Sequence, residues 1–103
     1  MAYFTYILQS RQNGSFYIGQ TQKVSARLNR HNAGLEKYTS KFSPWNLVWY
    51  GCFKTRKDAF RLERKLKNLK SRLRIIHFIK SNPVVAGSEN LQIEDLLDFR
   101  ESS

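Results

Sequence analysis

The chain has 103 residues, 41% of them hydrophobic and 14% aromatic, which suffices for one core and is too short for two domains of ordinary size. One cysteine (Cys52) and two histidines exclude a disulfide framework, a cysteine-cluster zinc site and a His-rich metal centre. Eighteen Lys and Arg against eight Asp and Glu give +10, which points to a polyanionic partner, and no run approaches the ~18 apolar residues of a membrane span.

Residues 3–9 (YFTYILQ) are aromatic and β-branched and predict a strand. Asn13-Gly14 signals a turn, and 15–20 (SFYIGQ) a second strand, so a β-hairpin of open register starts the domain. Val24 and Leu28 at i, i+4 predict a short amphipathic helix over 23–33, ending before Gly34. Residues 34–46 read as a loop. The continuously apolar run 47–53 (LVWYGCF) predicts a third strand, central in its sheet and covered on both faces. Thr55 is the expected N-cap of a long helix carrying Ala59, Leu62, Leu66 and Leu69. Ser71 breaks or caps it, and Leu73, Ile76 and Ile79 mark a second short helix ended by Asn82-Pro83. The order predicts an α/β fold, a small three-stranded antiparallel sheet flanked by helices.

Charge divides the chain further. Residues 1–82 carry seventeen basic and three acidic residues, and 83–103 one basic and five acidic. A basic domain over 1–82 and an acidic tail over 83–103 are therefore expected, with 91–100 as one amphipathic helix. The N-terminal segment lacks the basic start and small-residue cleavage site of a signal peptide. A reducing, cytoplasmic setting is expected.

Several residues could carry chemistry. Tyr6 and Tyr17 lie in the paired strands, where aromatics are usually packing residues. Gly19, two residues beyond Tyr17, marks a close approach of backbone. Arg27 and His31 share one helix face, with Arg30 beside them. Such an arginine offers two donors to a phosphate, and a histidine can take a proton or orient another base. Glu63 is the sole acid between residues 59 and 88, among eight basic residues. It reads equally well as the ion-pair partner of Lys67 or as a ligand for Mg²⁺. His77, among Ile75, Ile76, Phe78 and Ile79, reads as a partly buried structural residue, and Cys52 as a core residue.

The ordered set of Tyr6-Ile7-Leu8, an Asn-Gly loop, Tyr17-Ile18-Gly19-Gln20-Thr21, Arg27-Leu28, His31-Asn32-Ala33-Gly34, Thr39, Pro44, Ala59, Glu63, Lys67 and Asn82 resembles the GIY-YIG nuclease domain. Its nearest likeness is to small stand-alone bacterial members, similar to the N-terminal domain of excinuclease C. The namesake Gly-Ile-Tyr is here Phe4-Thr5-Tyr6, and the tail lies outside the likeness. The resemblance implies metal-dependent endonucleolytic hydrolysis of DNA, with roles in repair or DNA processing and with RNA not excluded. It implies Tyr6 as base assisted by His31, Tyr17 positioning water or phosphate, and Arg27 gripping the scissile phosphate. Glu63 would hold one Mg²⁺ or Mn²⁺, with Gly19 and Asn82 in support. Arg30, Lys41, Lys67 and Lys70 would contact the nucleic acid. The competing expectation is a non-catalytic nucleic-acid-binding module on the same fold, with Phe42, Trp45 and Trp49 free to stack on bases.

Overall fold

A computed structural model describes residues 2–82. The expected helix at 91–100 and the acidic tail lie outside the described residues. β1 (Tyr3–Ser10) forms the middle of a three-stranded antiparallel sheet, between β2 (Phe16–Thr21) and β3 (Trp45–Phe53). β1 pairs with β2 in the register Tyr6↔Gly19 and with β3 in the register Tyr6↔Tyr50. α1 (Val24–Asn32) covers one face, and α2 (Arg56–Lys67) and α3 (Arg72–Ser81) cover the other.

The expected central position of the third strand is corrected by this order. β3 is an edge strand, yet its two faces are covered: Trp45, Leu47 and Tyr50 join the α1-side core, and Trp49 joins the α2–α3 side. An apolar run reports burial of both faces and carries no information about neighbours along the hydrogen-bonding direction. The same packing removes Trp45 and Trp49 as stacking platforms, since they are 3% and 4% exposed. Their indole N–H groups are spent on the carbonyls of Thr39 and Asn82. Phe42 is half-buried against the α1-side core. His77, expected to be partly buried, is exposed beside Ser81, because α3 turns Ile75, Phe78 and Ile79 inward instead.

Local signals place the helices. α1 ends in a Schellman arrangement: Gly34 has φ +77°, Leu35 N–H donates to Arg30 C=O (3.0 Å), and Gly34 N–H donates to His31 C=O (3.2 Å). This reversal carries Glu36 back alongside α1. Thr55 caps α2 by accepting from Asp58 N–H (3.1 Å), and Ser71 caps α3 by accepting from Arg74 N–H (3.3 Å). Thr5, where the namesake motif has an apolar residue, is fully buried and donates to the Ala59 carbonyl of α2 (2.7 Å). That bond ties α2 to the central strand one turn before Glu63. Ile7, Leu66 and Ile75 complete the contact, each such burial contributing about 1.5–3 kcal/mol.

Candidate active site

The alternation of β1 aims Tyr6 at the α1 face, where its strand partner is Gly19. The phenol lies on that glycine: a Cβ there would stand 2.6 Å from Tyr6 Oη and 2.7 Å from Cζ. Only a residue without a side chain leaves the phenol this position. Tyr17, two residues earlier on β2, lies on the same face, with its ring 6.3 Å from that of Tyr6 and 4.9 Å from that of His31. His31, on the last turn of α1, is fully buried.

Tyr6 Oη and His31 Nε2 are 3.0 Å apart, and His31 Nδ1 lies 2.7 Å from Thr39 Oγ1. Thr39 Oγ1 also lies 3.3 Å from the Glu36 carbonyl, and with its proton on that carbonyl it accepts from His31 Nδ1–H. In that arrangement the imidazole proton is on Nδ1 and Nε2 accepts from the phenol. The result is a directed chain, Tyr6 to His31 to Thr39 to the Glu36 backbone. Thr39 is fully buried. Its role lies outside what residue pattern reveals, because a threonine in a loop carries no spacing signal.

Electrostatics keep both reactive groups neutral. Burial is the main cause that raises the Tyr6 phenol well above its ordinary value of 10.0; Arg27 opposes it, and Tyr17, Glu36 and Glu63 add to it. Burial also lowers His31 below 6.5, aided by Arg27 and Arg30 and opposed by Glu36. A free phenolate is therefore disfavoured, and the imidazole is a neutral acceptor at physiological pH.

Arg27 and Arg30 converge on one carboxylate oxygen. Arg30 Nε donates to Glu36 Oε2 at 2.9 Å. Arg27 Nε is 3.2 Å from the same oxygen but out of line for a hydrogen bond, so that contact is an ion pair alone. The Arg30 hydrogen bond is the main cause that holds Glu36 below the usual carboxylate range. Glu36 thus occupies an anion position between the two guanidiniums. Both arginines also line a cleft of about 510 Å³ with Gln20, Lys23 and Arg56.

Glu63 faces the β2 edge from α2. Its carboxylate is paired with Lys67 Nζ (2.9 Å) and accepts from Gln20 Nε2 (3.3 Å), with 13% of the side chain exposed. The ion-pair reading of Glu63 is therefore realised. Gln20 links it to the Arg27 cleft, of which Gln20 is a wall. Among the described residues no three His, Cys, Asp or Glu side chains converge, so there is no all-protein metal cage. A single largely buried carboxylate does fit a hard divalent ion that keeps several waters and takes phosphate oxygens from its substrate.

The structure brings together Tyr6, Tyr17, Gly19, Arg27, Arg30 and His31. Asn82 is not brought to them. It is exposed at the end of α3, donating to Phe78 C=O (2.9 Å) and accepting from Trp49 on the opposite face of the sheet. Lys41 is exposed on a single 3-10 turn, Ser40–Phe42. Lys67 and Lys70 line a second cleft beyond Tyr17.

The buried histidine predicts a pH effect on stability. The unfolded chain binds a proton on His31 near ~6.5 and the folded chain only at lower pH, so stability falls as pH drops below ~6.5. Glu36 adds a further loss below about 4.5, as pH falls toward its lowered folded value. Tyr6 acts at the other end, since stability falls once pH rises above ~10 and the unfolded phenol ionises. Urea unfolding at pH 8, 6.5 and 5 checks the acid limb. A midpoint unchanged between pH 6.5 and 5 would contradict a neutral buried His31.

An antiparallel three-stranded sheet between one helix and a helical pair, with two tyrosines, an arginine and a histidine gathered beside β2, defines a nuclease-type α/β domain. The sequence model of the GIY-YIG catalytic domain matches residues 2–76, and the chain belongs to that family. Among its relatives, the UPF0213 protein BH0048 of Halalkalibacterium halodurans is 36% identical over 73 residues, covering 70% of this chain and 77% of that one. A UPF0213 protein of Staphylococcus aureus strain Mu3 is 33% identical over 78 residues, covering 73% and 94%. The solution NMR structure of the UPF0213 protein BH0048 from Bacillus halodurans superposes with a TM-score of 0.53 at 32% identity, over 80% of this chain and 86% of that one. Among the described residues no helix is long and apolar enough to cross a membrane.

Proposed function

We propose that the chain is a divalent-metal-dependent endonuclease that hydrolyses DNA phosphodiester bonds. The observation that carries this reading is the directed Tyr6–His31–Thr39 chain standing beside Arg27. A buried phenol needs a hydrogen-bond partner in any fold; what supports the nuclease reading is that the Tyr6–His31 pair stands beside the Arg27–Arg30 cleft.

The raised phenol value shapes the mechanism. Tyr6 does not wait as phenolate. Tyr6 is 1% exposed, so substrate binding must first open the Tyr17 side of the phenol to water. That water gives its proton to Tyr6 Oη as it attacks phosphorus, while Tyr6 passes its own proton to His31 Nε2. The imidazolium so formed keeps its Nδ1–H on Thr39 and feels the Glu36 carboxylate. Tyr17 flanks the water, and Arg27 leaves Glu36 for the scissile phosphate, where it stabilises the added charge. Glu63 would hold a divalent ion, which would supply Lewis-acid polarisation of the phosphate and charge stabilisation at the leaving oxygen. For this Lys67, 54% exposed, releases the carboxylate. The Glu63–Lys67 pair is also what favours the second reading, a nucleic-acid-binding module in which Glu63 is only an ion-pair partner.

Incubation with single-stranded, duplex and branched DNA in Mg²⁺ or Mn²⁺ separates the two. Metal-dependent cleavage is expected, with Glu63→Ala and Arg27→Ala each slower by about 10²-fold or more. Binding without cleavage of any of these substrates establishes the binding module instead.

A further inference from the structure

A second cleft, of about 590 Å³, opens between the free edge of β2 and the junction of α2 with α3. Tyr17 forms part of its wall and so belongs to both this cleft and the Tyr6–His31 cluster. Its other walls include Phe16, Tyr38, Lys67, Lys70 and Arg72, and no carboxylate lines it among the described residues.

Three features set this surface apart from a solvated basic face. Tyr38 is 73% exposed, yet its ring is held 6.1 Å from that of Tyr17. It is a flat apolar platform kept in water beside the reactive cluster. Arg72 is fixed: its guanidinium lies 5.1 Å from the Phe16 ring centre and donates to the Gly14 carbonyl. Lys70 occupies the α2–α3 junction at φ +49°, a conformation that suits glycine or asparagine better than lysine. This places the Lys70 side chain at the wall of the cleft, on a turn between two helices.

The two clefts lie along one strand. Gln20 borders the Arg27–Arg30 cleft and Tyr17 borders the Lys70 cleft, about 10 Å apart at ~3.3 Å per residue. We propose that the Lys70 cleft binds the backbone of one nucleic-acid strand next to the scissile phosphate, with an unpaired base stacked on Tyr38. Lys67, Lys70 and Arg72 meet its phosphates. A paired base offers no free face to Tyr38, so the cleft selects substrates with a single-stranded flank. The inference rests on the nuclease reading for its position beside a scissile bond, and on the cleft alone for binding.

Fluorescence anisotropy in EDTA tests it without cleavage, using a labelled single-stranded oligonucleotide and its blunt duplex. Tyr38→Ala is expected to weaken single-strand binding ~5- to 100-fold and to leave the duplex unchanged, while Tyr38→Phe binds as wild type. Lys70→Asn suits the backbone and removes the charge; it is expected to lower the salt slope by about 0.7. Wild-type affinity and slope in both Tyr38→Ala and Lys70→Asn overturn the proposal, as does equal weakening on duplex by Tyr38→Ala. If the wild type cleaves nothing with metal but these losses appear, the nuclease reading fails and the cleft stands. If it cleaves and the variants bind as wild type, the cleft fails alone.

Discussion

Gly19→Ala is expected to slow cleavage by about 10²-fold while leaving every polar residue of the site in place. The new Cβ would stand 2.6 Å from Tyr6 Oη and 2.7 Å from Cζ, distances at which something must move. The phenol is the part that can move, because the strand partner of Gly19 is Tyr6 itself and the backbone on both sides is laddered. Displacing the ring breaks the 3.0 Å contact with His31 Nε2 and empties the start of the relay. A misplacement on this scale costs on the order of 10²-fold in rate. Overpacking adds about 1–3 kcal/mol of destabilisation. Cleavage rate and urea midpoint, measured on one preparation, check both parts. Wild-type rates in Gly19→Ala would mean that Tyr6 need not occupy this position. Adding Tyr6→Phe relieves the Oη contact only, so the Cζ clash and much of the stability loss persist.

Tyr6→Phe alone is the second large expected effect. It keeps the ring and its packing but removes the group that takes the proton of water, a role worth about 10²–10⁴-fold in rate. His31 Nε2, fully buried, is left without the phenol, and an unsatisfied buried acceptor costs about 1–3 kcal/mol. That atom then takes a proton more readily, which narrows the gap to the unfolded imidazole, so stability falls less steeply toward acid pH than in the wild type. A rate within tenfold of wild type would remove Tyr6 from the proton path. A folded, somewhat destabilised and inactive protein is the outcome the relay requires. Tyr17→Phe distinguishes the two tyrosines: Tyr17 Oη holds no place in the Tyr6–His31–Thr39 chain, so a smaller loss is expected there.

Much of this site was legible in residue pattern. Arg27 and His31 fall on one helix face because helical periodicity is local, and Gly19 reads as a close backbone approach because a strand seldom gives up a side chain without cause. Lone Glu63 stands out by charge alone. Glu36 and Thr39 were not legible as site residues. Glu36 gains its place through the Schellman reversal at Gly34, which returns the chain to Arg27 and Arg30, and Thr39 through burial against His31. Each meeting depends on a loop path, and loops have no period to read.

The same division runs through the fold. Periodicity, caps and turn residues determined which segments are strands and which are helices, because those preferences act between residues a few positions apart. They also determined that the basic charge belongs to residues 1–82. Which strand is central was settled by pairing across the chain, where β1 takes both neighbours and β3, however apolar, takes the edge. Tertiary packing alone decided that Trp45 and Trp49 face inward, that the Tyr6 phenol stays protonated, and that Tyr38 stands exposed beside Tyr17. Burial, dielectric and the close approach of distant charges are properties of the assembled core, and no local run of residues contains them.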